Sequence, residues 1–134
     1  PEEQCLALRR YGMELGEAFQ IADDLLDYVS DADTLGKNIG GDLAEGKPTL
    51  PLIYAIQRST PMQAELLRNA ITTRRLAALD VIVAAIRDSG ALERTRKRAQ
   101  AHADTAHAAL ASLPASEYRG VLAGLADYAV NRTN

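Results

Sequence analysis

Three aspartates, Asp23, Asp24 and Asp27, fall within five consecutive positions of a stretch otherwise rich in Ala and Leu. On a helix, at about 100° per residue, Asp23 and Asp27 stand about 40° apart, with Asp24 about 60° to the other side of Asp27 and Gln20 about 20° from it. All four share one face. Gly12 and Gly16 continue that face toward the N-terminus, leaving the backbone open to a large ligand. Like charges this close repel, and more so if partly buried, so a cation belongs beside them. Hard oxygen donors on one side of an ion, with the remaining positions left to water and phosphate oxygens, suit Mg2+. Spacing alone leaves a second explanation open and commoner: a solvated acidic helix face.

The elements that must position these residues are helical. The 134 residues are 47% hydrophobic, enough for a folded domain, and β-branched runs are lacking while aromatics are only 4%, which favours an all-α chain. A net charge of −3 with scattered Lys and Arg offers nucleic acid no basic surface. The single cysteine, Cys5, cannot close an internal disulfide, and no apolar run is long enough for a transmembrane span or a signal peptide; the expected setting is a reducing cytoplasm.

Roughly six helices are expected. The first runs from Pro1 to about Val29, with Cys5, Leu8, Tyr11, Leu15, Ala18, Phe19, Ala22 and Leu26 at helical spacing. Residues 30–47 hold four glycines among Asp, Asn and Lys, a composition that reads as a long polar loop. Helices then follow over Pro48 to Arg58, Met62 to Thr72, Leu76 to Asp88 with Gly90 as a left-handed cap, and Ala91 to Leu113, stopped by Pro114. A last helix begins after Ser116 and ends near Asn131. Nothing in 1–134 marks a second domain, and 48–134 are expected to be packing helices. The start at Pro1-Glu2-Glu3 without Met suits a helix turn inside a longer protein, and processing of a Met before Pro would give the same terminus.

The run Gly16-Glu17-Ala18-Phe19-Gln20-Ile21-Ala22-Asp23-Asp24-Leu25-Leu26-Asp27-Tyr28, then Leu35-Gly36-Lys37, then Gly41-Asp42-Leu43-Ala44-Glu45-Gly46-Lys47-Pro48-Thr49-Leu50-Pro51-Leu52, resembles the trans-isoprenyl (polyprenyl) diphosphate synthase family almost continuously. Leu92 to Ala101 and Leu122 to Arg132 are similar, less specifically, to its bacterial octaprenyl-type branch. The resemblance implies the C-terminal portion of the isoprenoid synthase helical fold. It also implies an enzyme that extends an allylic prenyl diphosphate with isopentenyl diphosphate, for instance in quinone biosynthesis.

By this resemblance Asp23, Asp24 and Asp27 are the second of two aspartate-rich magnesium motifs. Lys37 and Lys47 hold the allylic diphosphate, Asp42 orients metal-bound water or a lysine, and Phe19 and Gln20 line the cavity near the reacting carbons. The chain contains no other Asp-Asp pair, so the first motif is missing and the 134 residues alone are expected to be inactive. Apolar faces such as Ile53-Tyr54-Ala55-Ile56, normally covered by the missing half, are expected to drive a homodimer or larger homo-oligomer.

Two other readings stand beside this one. The first is a non-catalytic helical subunit or scaffold that pairs with a separate catalytic chain, and the second is a terpene cyclase, against which the Lys37–Lys47 loop argues. His102 and His107, five apart, point in different directions and make no zinc site. They are expected at the surface, as is the basic run Arg94 to Arg98. Cys5 has no feature that would activate its thiol. Arg132 is a candidate contact to a substrate diphosphate.

Overall fold

The computed structural model describes residues 2–29, 49–73 and 76–132. These form six α-helices and one 3-10 turn, and no strand occurs among the described residues. The fold is all-α. The helices are α1 (Glu2–Val29), α2 (Leu50–Arg58), α3 (Pro61–Thr73), α4 (Leu76–Asp88), α5 (Ala91–Ala109) and α6 (Glu117–Asn131), with the 3-10 turn at Leu110–Ser112.

Local chemistry sets the ends of these elements. Glu2 and Glu3 occupy the first turn of α1, where carboxylates complement the helix dipole. α2 opens after an extended Thr49, and Pro51 falls in its first turn, where a missing amide costs no helical hydrogen bond. α3 opens on a reciprocal cap: the Gln63 amide donates to Thr60 Oγ1 at 3.2 Å and the Thr60 amide donates to Gln63 Oε1 at 3.3 Å. Gly90, at φ 76°, makes the left-handed turn between α4 and α5. Ser116 caps α6 by accepting the Arg119 amide at 3.1 Å.

One expected boundary is different. The helix from Ala91 does not stay α-helical to Leu113: it tightens at Leu110, where the Leu113 amide bonds the Leu110 carbonyl at 3.0 Å. Arg119 Nη1 donates to the Leu113 carbonyl at 3.0 Å, giving an acceptor past the helix end a partner.

The chain divides into two compact units, one drawn from Pro1–Ala22 and Arg96–Thr133, the other from Asp23–Thr95. In the first, Tyr11, Ala106, Leu110 and Ala126 form a buried cluster flanked by Leu15 and Leu122, and the Tyr11 hydroxyl donates to the Leu122 carbonyl at 2.6 Å. In the second, Tyr28, Leu52, Ala55, Ile82, Ile86 and Ala91 are the centre of the core. Tyr54 and Ala55 belong to that core and Ile56 packs against it, so of the expected exposed stretch 53–56 only Ile53 is on the surface. Helices α3 and α4 cover this face, an arrangement that the apolar run alone does not reveal.

Exposed apolar side chains are found elsewhere: Leu6, Leu8 and Met13 on α1, Met62 and Leu66 on α3, and Tyr118, Val121 and Leu125 on α6. Along α1 the buried positions are Ala7, Tyr11, Ala18, Ile21, Ala22, Leu25 and Tyr28, with Cys5 and Leu8 exposed. The inward face therefore passes through Ala7 rather than through Cys5 and Leu8.

Candidate functional site

The C-terminal half of α1 sorts its side chains by burial. Ala22, Leu25 and Tyr28 are buried, while Gln20 and Asp23 are exposed and Asp24 is partly exposed. A helix with one apolar side sends the intervening polar residues outward, which is how this sequence presents Asp23 and Asp24 on an accessible surface. Asp27 lies on the same helix one turn after Asp23, and its side chain is outside the described residues. Lys37, Asp42 and Lys47 are outside them as well.

Two arginines from distant segments hold α1 near this half. α1 has no basic residue in its last turn, and Arg87 Nη2 lies 3.5 Å from the Tyr28 carbonyl, a long contact that places a cation at the negative end of the helix. Phe19, four residues before Asp23, is half-buried. Arg132 Nη2 donates to its carbonyl at 3.0 Å, and the guanidinium stands 4.5 Å from the ring centroid. The Tyr128 ring meets the Phe19 ring at 6.4 Å between centroids with a 53° tilt. Tyr128 was not singled out from the sequence. Its position one turn before Arg132 on the last helix was the available signal.

The remaining candidates are structural. His102 Nδ1 lies 2.6 Å from Glu14 Oε2, which joins α5 to α1, so His102 is paired rather than a simple surface residue, whereas His107 is exposed. Arg96, Lys97 and Arg98 form the expected exposed basic face. Arg94 lies over the Tyr54 ring at 4.1 Å and donates to Gln57 Oε1 at 3.4 Å. Cys5 is free and exposed. A Cβ added at Gly12 or Gly16 would meet nothing within 4 Å, so both glycines lie on an open part of α1.

As a metal site the described set is partial. No group of three or more His, Cys, Asp or Glu side chains converges on one position among the described residues. Asp23 and Asp24 offer carboxylate oxygens on one helix, the donor type and number with which Mg2+ is commonly held when water and phosphate oxygens complete its shell. Among the described residues, the chemistry of these donors fits part of the shell of a divalent cation. No described helix is long and apolar enough to cross a membrane.

Residues 1–88 match the family model described as polyprenyl synthetase. Octaprenyl diphosphate synthase of Escherichia coli (strain K12) is 50% identical over 135 residues, which covers 98% of this chain and 41% of that protein. All-trans-nonaprenyl-diphosphate synthase (geranyl-diphosphate specific) of Rhodobacter capsulatus is 50% identical over 125 residues, covering 93% of this chain and 38% of its own length. Among solved structures, a polyprenyl synthase from Caulobacter crescentus CB15 complexed with calcium and isoprenyl diphosphate aligns over 100% of this chain and 42% of its own. The TM-score is 0.88 and the identity 48%. The chain thus spans about two fifths of the length of these relatives.

Proposed function

The chain belongs to the polyprenyl synthetase family, and from that premise we propose that it is the C-terminal part of a long-chain trans-polyprenyl diphosphate synthase of the octaprenyl type. The observation that carries the reading is the outward presentation of Asp23 and Asp24 from a helix whose other side is buried. The reading is supported by similarity to a synthase solved with calcium and isoprenyl diphosphate, a divalent cation and a prenyl diphosphate on a related chain.

In the proposed reaction the allylic C–O bond breaks with its electron pair leaving on the diphosphate. The double bond of isopentenyl diphosphate attacks the allylic cation, and loss of a proton leaves a chain five carbons longer. Asp23, Asp24 and Asp27 would hold Mg2+ directly or through its water, and the ion, when bound, would supply positive charge to the departing diphosphate. Lys37 and Lys47 hold the diphosphate as point charges, and Asp42 orients water or lysine beside them. Phe19 and Gln20 line the cavity and keep bulk water from the cation. A cytoplasmic location, homodimeric assembly and a product destined for quinones belong to the same proposal.

The test supplies the rest of the family's length, either joined to this chain or mixed with it, and measures isopentenyl diphosphate incorporation into extracted prenyl products. Magnesium-dependent prenyl transfer that Asp23→Ala abolishes supports the reading, as does an absence of activity in the isolated 134 residues. Activity that survives Asp23→Ala would assign the chain to a non-catalytic scaffold, and hydrocarbon release without isopentenyl diphosphate would make it a cyclase.

A further inference from the structure

We infer that Arg132 is a positioning residue for Phe19, acting on the substrate cavity through that side chain rather than by binding a diphosphate itself. The inference rests on the proposed cavity-lining role of Phe19. Its own basis is the pair of contacts that the Arg132 guanidinium makes with Phe19. The Arg132 amide closes α6 by donating to the Tyr128 carbonyl at 3.1 Å. The guanidinium then uses both of its distinctive properties on one residue: an N–H at 3.0 Å on the Phe19 carbonyl and a planar face 4.5 Å from the Phe19 ring centroid.

Phe19 is thereby held at two points, and Tyr128, from the same last turn of α6, supports the ring at 6.4 Å. The backbone contact reaches toward the motif. In an α-helix the carbonyl of residue 19 takes the amide of residue 23, and its second lone pair is open to a further donor. Arg132 therefore bonds a peptide group one helical turn from Asp23, and it fixes ring and backbone of Phe19 together. A diphosphate drawing the guanidinium away would have to break the stack and the carbonyl bond at once.

Lysine can supply the charge but not the planar face with its forked donors, so Arg132→Lys should behave like Arg132→Gln. With the rest of the synthase supplied, both variants should lower kcat about tenfold, since small misplacements of a positioned group are costly. KM for the allylic and the isopentenyl diphosphates should stay within about twofold. Phe19→Leu combined with Arg132→Gln should be no slower than Phe19→Leu alone, within about twofold, because one acts through the other.

Several results would overturn the inference. A rise in either KM at unchanged kcat would make Arg132 a diphosphate ligand. Restoration by lysine would make it a simple charge, and multiplicative losses in the double variant would make the two residues independent. A loss of kcat that disappears at temperatures well below each variant's Tm would reduce the effect to stability. Failure of the wild-type protein to transfer prenyl groups would remove the underlying reading, and with it the positioning role. In that case Tm coupling between the two substitutions would report a packing contact only.

Discussion

Asp23 and Tyr11 put ionisable groups on one helix to opposite uses. Asp23 is exposed at the surface of α1, whereas Tyr11 is buried with its hydroxyl on the Leu122 carbonyl. Burial holds the Tyr11 phenol above its ordinary value near 10.0. A raised folded-state value means stability that is fully present below pH 10 and is lost as pH climbs through the folded value. Tyr11→Phe should cost about 1 kcal/mol at neutral pH, read from urea unfolding, and should flatten the fall in stability above pH 10. The shared face of Asp23, Asp24 and Gln20 was legible from helical periodicity, whereas reading it as a metal motif rested on the run of residues around it. The contacts of Phe19 were not: Tyr128 and Arg132 lie more than a hundred residues away in sequence, and a single chain carries no local signal of which distant groups will meet. His102 fails for the same reason, since its partner Glu14 is 88 positions distant.

Elements were read best where the chain punctuates itself. Gly90 was expected as a left-handed cap and has φ 76°. Gly90→Ala should cost about 1–2 kcal/mol, chiefly from the backbone, because the new Cβ would stand 3.3 Å from Arg58 Nη1, the movable end of a long side chain. Ser116→Ala should remove the acceptor of the Arg119 amide and cost about 1 kcal/mol, measurable as a lower unfolding midpoint. Where punctuation was absent the reading slipped. The tightening at Leu110 depends on one backbone bond and on Arg119 reaching the Leu113 carbonyl, neither of which composition announces. The inward face of α1 was placed through Cys5 and Leu8, yet Ala7 is the buried residue there, because hydrophobicity ranks the leucine higher and says nothing of which side of the helix meets the core.

At the scale of the whole molecule, the all-α class followed from composition, and the covered state of Tyr54 and Ala55 did not, because a buried face and an unpartnered one have the same apolar pattern. The apolar residues that remain outside include Val121 and Leu125 on α6 and Leu66 on α3. With such surfaces the isolated chain should elute and scatter light as a dimer or larger species, and Val121→Lys with Leu125→Lys should shift it toward monomer; a monodisperse wild-type monomer would contradict this. In the proposed reaction Asp23 would anchor a divalent ion on the departing diphosphate. The most direct measurement is the rate of prenyl transfer as a function of Mg2+ concentration, with the rest of the synthase supplied, for wild type and Asp23→Asn. The expected result is a kcat lower by at least about a hundredfold in the variant, at an unchanged Tm, with part of the loss recovered at high Mg2+. A variant with wild-type kcat and wild-type magnesium dependence would contradict it.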